Sequence, residues 1–355
     1  MKKVLTLLLA LLLVPSLSAQ GLKDAYDDFF RIGVAVNMRN ITDSAQVALI
    51  LANYNSITAE NAMKPISVHP AEGVWNWEQA DRVANFCRQH HIPLRGHCLC
   101  WHSQFTDWMF TDSLGQPVTK DVFYQRLRHH IHTVVARYKD IVYAWDVVNE
   151  AMSDAPSTLR DGTTPNPFRE SRHWRLCGDE FIAKAFQFAH EADPDALLFY
   201  NDYNAATPAK RDRIYAMVER MQQAGVPITG IGMQGHYSAM GPSPQEVDEA
   251  LTLYSKIVNH IHITELDIRL SAEMGGQLQH SKGRVDVPQE VLDRQARQYA
   301  DMFRVFRSHA DVIETVNFWN LSDRDSWVGV NNAPLPFDRD YQPKNIYHIL
   351  TTFDR

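Results

Sequence analysis

Leu197-Leu-Phe-Tyr-Asn-Asp-Tyr-Asn204 runs four apolar residues into a polar cluster, and together with the segment up to Thr229 it decides the fold. Thr207-Pro208 supplies an N-cap and a first-turn proline. Ile214, Met217, Val218 and Met221 then recur at i, i+3, i+4 and i+7, and Gly225 closes the segment. A second apolar run begins at Thr229. Strand, crossover helix and strand in succession are the unit of a parallel sheet, and the four helix positions form the stripe that would cover it.

Working outward, the same alternation yields eight strand candidates. They lie near Ile32–Val36, Ser56–Glu60, Pro93–Cys100, Val142–Asn149, Leu197–Asp202, Ile231–His236, His262–Ile268 and Thr315–Asn320. Eight strands alternating with helices predict a single (β/α)8 barrel, an α/β fold whose active site is built at the carboxyl ends of the strands. Polar and aromatic residues collect at those ends: Glu60-Asn61, Trp101-His102, Asn149-Glu150, Asn201-Asp202, Gln234 to His236, Glu265 and Trp319-Asn320. A doubly wound sheet would need a glycine-rich turn after its first strand, and Val34-Ala-Val-Asn-Met-Arg-Asn40 has none. With no internal repeat or low-complexity linker, one domain is expected over residues 20–355. The glycine-containing stretch Met274 to Arg284 reads as a long loop that borders the cleft.

Residues 1–19 read as a secretory signal. Lys2-Lys3 is followed by an apolar run to Pro15 and by Ser16-Leu-Ser-Ala19, and the run is shorter than the roughly 20 residues of a spanning helix. The mature chain is therefore expected to be soluble and secreted or periplasmic. The net charge of −7 across 355 residues, without a basic stripe, argues against nucleic acid as a partner. Four cysteines in so long a chain are no disulfide framework, and Cys87, Cys98, Cys100 and Cys177 are expected as buried thiols.

Two acids stand apart, because each closes an otherwise apolar strand: Tyr143-Ala-Trp-Asp-Val-Val-Asn149-Glu150 and Ile261-His-Ile-Thr-Glu265-Leu-Asp267. A carboxylate at the rim of a buried strand needs partners or a task. On a barrel the fourth and seventh strands end on one rim, where two carboxyl groups can flank a glycosidic bond. Two solvated rim acids would give the same pattern, so the surrounding residues matter. By the period of two, Gln234 and His236 share a face, as do Glu265 and Asp267, which places His236 between Asp267 and Glu265. The same alternation sets His97 opposite Cys98, Cys100 and His102, against a metal site on that strand.

These residues resemble the xylanases of glycoside hydrolase family 10. The resemblance rests on Thr58-Ala-Glu60-Asn61-Ala-Met-Lys64, Arg95-Gly-His97-Cys-Leu-Cys-Trp101-His102-Ser-Gln104 and Trp145-Asp-Val-Val-Asn149-Glu150-Ala151. It continues through Tyr200-Asn-Asp-Tyr-Asn204, Gly232-Met-Gln234-Gly-His236, Ile263-Thr-Glu265-Leu-Asp267 and Phe318-Trp319 to Ser326-Trp327. It implies an endo-1,4-β-xylanase acting on xylan and xylo-oligosaccharides as a monomer, without metal or cofactor. Glu150 is then the general acid/base and Glu265 the nucleophile of a retaining double displacement, and Asn149 faces the sugar 2-hydroxyl. Glu60, Asn61, Lys64, His97 and Gln104 hold the sugars on the non-reducing side, between walls formed by Trp101, Trp319 and Trp327. Tyr203 and Asn204 lie on the other side of the cut, and Gln234 and His236 complete the site. Three positions depart from the family pattern: Asn320 stands where a small residue is common, and Cys98 and Cys100 replace Thr and Val. The competing readings are a barrel cellulase or glucanase and a binding protein that has lost catalysis. The latter would lack one of the two glutamates.

Overall fold

In the computed structural model, which describes residues 21–159, 162–272, 278 and 285–353, eight parallel strands close into a barrel. They are β1 (Arg31–Val36), β2 (Ser56–Ala59), β3 (Leu94–Trp101), β4 (Val142–Asn149), β5 (Leu197–Asp202), β6 (Gly230–Met233), β7 (His260–Arg269) and β8 (Ile313–Phe318). Each pairs with its chain neighbours, and β8 pairs with both β7 and β1, which removes every edge. The expected barrel is thus present, with its strands in the expected order.

The helices that cover it follow from local sequence. Pro208–Gln223 buries Ile214, Met217, Val218 and Met221, the four residues of the apolar stripe, and Gly225 stands just past its end at φ +79°. Pro244–Tyr254 opens with a capping box between Ser243 and Glu246. Where β3 lies beside β4 the packing is tight enough that Gly96, paired with Trp145, admits no side chain: a Cβ there would lie 2.1 Å from Cε3 of the fully buried Trp145.

Three expectations are corrected. The sixth strand stops at Met233, because Gly235 takes φ +82° and turns the chain; a separate strand, His236–Ser238, then pairs with the end of β7. Gln234 and His236 therefore do not share a face by simple alternation. In β3, His97 pairs with Asp146 and Cys100 with Val148, so three steps on one strand meet two on the other. This bulge breaks the period of two that would set His97 opposite Cys98, Cys100 and His102. The eighth strand ends at Phe318, two residues short of the expected Asn320, which is fully buried with φ +94°.

A two-stranded antiparallel hairpin, Met152–Thr158 with Pro165–Phe168, follows β4 and has no counterpart among the expected elements. The signal segment lies outside the described residues, as does the stretch from Met274 to Arg284 apart from Leu278. Cys87, Cys98, Cys100 and Cys177 are buried free thiols. Among the described residues, no helix is long and apolar enough to cross a membrane.

Candidate active site

Every site residue expected from the sequence except Asp267 lines one cavity of roughly 530 Å³ at the carboxyl end of the barrel, where Arg269 joins them. Glu150 follows the last residue of β4 and takes φ +59°, a left-handed conformation held by a hydrogen bond from its own N–H to the carbonyl of Asn201. Its carboxylate receives three side-chain donors. Asn149 Nδ2 at 3.1 Å and Gln234 Nε2 at 2.9 Å reach Oε1, and Trp101 Nε1 at 2.9 Å reaches Oε2. His102 Nδ1 stands 3.8 Å from the same Oε2.

Glu265 sits within β7, its side chain 6% exposed. Asn201 Nδ2 donates to Oε1 at 2.8 Å, and His236 Nε2 meets Oε2 at 3.2 Å. His236 Nδ1 is 2.9 Å from Asp267 Oδ2, which also accepts from Trp327 Nε1 at 2.8 Å. Burial works against charge on the His236 ring. The Asp267 and Glu265 carboxylates outweigh it and push its pKa up to about 10. The imidazolium in turn holds the Glu265 carboxyl below its ordinary range, although burial acts the other way. His236 thus lies between the two acids despite the break in its strand.

Asn201 belongs to the site without having been marked as a site residue by the sequence. Its Nδ2 also reaches Asn149 Oδ1 at 2.9 Å, and its Oδ1 accepts from Thr264 Oγ1 at 2.7 Å, so one buried amide ties both carboxylates into a single network. Its place beside Asp202 at the end of a barrel strand was the available signal.

Toward one end of the cavity, Lys64 Nζ donates to Asn61 Oδ1 and Gln104 Oε1, both at 2.8 Å, and stands 5.0 Å from the Trp101 ring. Burial raises the Glu60 carboxyl above its ordinary value, with Lys64 opposing. On the other side stands Arg169, which no sequence motif singled out. It donates to the Glu150 carbonyl at 3.1 Å and to Tyr203 Oη at 2.7 Å, while Tyr203 donates to Asp154.

His97, Asp146 and Glu265 each offer a ligand atom within 4.8 Å of the others. Those donors are already engaged: Asp146 by Arg95 and His97, and Glu265 by Asn201 and His236. With a guanidinium on Asp146, the group is satisfied by hydrogen bonds rather than left open to a cation.

A (β/α)8 barrel carrying two carboxylates in one polar, aromatic-walled cleft at its carboxyl rim has the framework of a glycoside hydrolase. The model of glycosyl hydrolase family 10 matches residues 21–352. The chain belongs to that family. It is 59% identical over 339 residues to an endo-1,4-beta-xylanase/feruloyl esterase of Xylanibacter ruminicola, covering 94% of this chain and 47% of that protein, about half its length. It is 39% identical to endo-1,4-beta-xylanase B of Paenibacillus barcinonensis, covering 94% and 97% of the two chains. Among solved structures, a psychrophilic family 10 endo-beta-1,4-xylanase superposes with a TM-score of 0.89 at 54% identity, covering 95% and 100%.

Proposed function

We propose that this chain is an exported endo-1,4-β-xylanase that cuts xylan with retention, Glu150 acting as general acid/base and Glu265 as nucleophile. The observation that carries the reading is the unequal dressing of the two acids. Glu265 is held ionised against the His236 cation, as a nucleophile requires. Glu150 lies in the same cavity among amide and indole donors that fix its direction without a full positive charge in hydrogen-bond contact. The family membership and the activities of the relatives support the substrate.

In the first step Glu265 attacks the anomeric carbon while Glu150 gives its proton to the leaving oxygen. A covalent glycosyl ester on Glu265 results. Its negative charge is then gone, and Glu150, now a carboxylate, takes a proton from the water that releases the sugar. Asn149 sits between the acids, suited to a sugar 2-hydroxyl contact that strengthens as positive charge develops on the ring. Trp101, Trp319 and Trp327 offer flat faces to xylose rings, and the two later tryptophans crowd the space that a C6 hydroxymethyl would need.

The test is hydrolysis of beechwood xylan by the wild type, Glu150→Ala and Glu265→Ala, with azide added to the variants. The reading expects α-glycosyl azide from Glu265→Ala and β-glycosyl azide from Glu150→Ala. Inverted product from the wild type, or no turnover of xylan, sinks it.

A further inference from the structure

Beneath the cleft, a chain of buried polar groups runs from His97 to the closed end of the barrel. His97 Nδ1 lies 2.8 Å from Asp146 Oδ2, and Arg95 grips both Asp146 oxygens, its Nη2 at 2.5 Å from Oδ1. Arg95 Nε then meets His262 Nδ1 at 3.2 Å, His262 Nε2 meets Glu314 Oε2 at 3.2 Å, and His260 Nδ1 stands 2.8 Å from Glu314 Oε1. His97, Asp146, Arg95 and His262 are all at most 2% exposed, whereas Glu314 and His260, near the starts of β8 and β7, reach solvent.

Donor chemistry gives this chain a direction. A guanidinium nitrogen only donates, so His262 Nδ1 is the acceptor; the ring's hydrogen is on Nε2 and goes to Glu314. Burial and the neighbouring Arg95 keep that ring neutral, lowering its pKa to about 4 although Glu314 opposes. Arg95, with its Nε satisfied there, presents both terminal nitrogens to Asp146. Asp146 can only accept from His97, so the His97 Nδ1 carries hydrogen and Nε2 is the nitrogen left for the cleft.

We propose that His262 is a positioning residue for His97, fixing through Arg95 and Asp146 the ring orientation that the cleft presents to sugar. The proposal rests on the reading of the cavity as a xylan cleft. Removing the acceptor at 262 leaves the buried Arg95 Nε–H unpaired, and the guanidinium can recover a partner only by turning away from Asp146. Glutamine spans the same gap, with its oxygen toward Arg95 and its nitrogen toward Glu314.

The experiment compares wild type, His262→Leu and His262→Gln by steady-state kinetics on an aryl xylobioside, thermal unfolding, and imidazole 1H–15N correlation, with His97 assigned through its loss in His97→Gln. For His262→Leu we expect KM to rise about tenfold with kcat within about twofold of wild type, the loss of one sugar contact, and the His97 Nδ1–H signal to broaden or shift. His262→Gln restores both. Wild-type KM and an unchanged His97 signal in folded His262→Leu overturn the proposal, as does a folded His262→Gln that is as impaired as the leucine variant. If His262→Leu does not fold, His262→Asn, too short to reach both Arg95 and Glu314, is read in its place. A wild type inert on the xylobioside counts against the xylanase reading, and the His97 signal still decides this one.

Discussion

Asn201 Nδ2 lies 2.8 Å from Glu265 Oε1, and the same nitrogen reaches Asn149 Oδ1 at 2.9 Å. The two candidate catalytic acids are therefore not independent rim residues: one buried amide couples the strand that carries Glu265 to the strand that ends at Asn149-Glu150. Asn201→Ala should lower kcat roughly tenfold to a hundredfold, since a hydrogen bond to a charged group contributes about 1.5–3 kcal/mol. Single-turnover kinetics with an activated xylobioside would show the loss in the glycosylation step. An unchanged rate there would mean that the other donors hold Glu265 without it.

His236 sets an alkaline boundary. Its pKa is raised from 6.5 to about 10, so the stabilisation from the charged ring is fully present below about 6.5 and is lost as pH rises through about 10. We expect kcat/KM of the wild type to fall along that upper limb. His236→Asn should abolish the limb and lower the rate at neutral pH. Without the cation, Glu265 also stays protonated to higher pH, so the acid limb moves upward. A variant profile that overlays the wild type would remove His236 from the argument.

Trp101→Phe keeps an aromatic wall and deletes the indole donor 2.9 Å from Glu150 Oε2. The expected outcome is a fall in kcat of about tenfold with little change in KM, because the lost contact is to the proton-transferring group rather than to sugar. Steady-state parameters on an aryl xylobioside check this, and a rise in KM alone would make Trp101 a wall and nothing more.

Gly96→Ala tests the packing between β3 and β4. Its Cβ would lie 2.1 Å from Trp145 Cε3, and a fully buried indole has little room to retreat. Destabilisation of about 1–3 kcal/mol is expected from denaturant unfolding. A neutral result would show that Trp145 can move without cost.

Much of the site is legible in the sequence. Glu150 and Glu265 stand out as acids in apolar strands, whereas Lys64, Gln104, Trp319 and Trp327 are marked by the resemblance to family 10 motifs, and all of them line one cavity. The hydrogen-bond partners are harder to read. Asn201 and Arg169 are ordinary polar residues in sequence, and their importance comes from contacts 64 and 19 positions away, to Glu265 and to the Glu150 carbonyl. Arg95 and Asp146 sit inside the family motifs, yet nothing local reveals that they pair across neighbouring strands or that His262 lies below them.

By itself the sequence determined the alternation of strand and helix, the apolar stripe from Ile214 to Met221 and the acid that follows β4, because periodicity and capping are local properties of the chain; Glu265, expected to close its strand, lies within β7, which runs on to Arg269. Tertiary structure alone decided how those pieces meet. The positive φ of Gly235, the bulge after His97 and the left-handed turn at Glu150 each re-aim side chains that simple alternation would send elsewhere. Barrel closure then brings Glu265 to the amide of Asn201 and Arg95 Nε into hydrogen-bond reach of His262 Nδ1. Buried polar groups must find partners, and in a closed barrel those partners come from strands far apart in sequence.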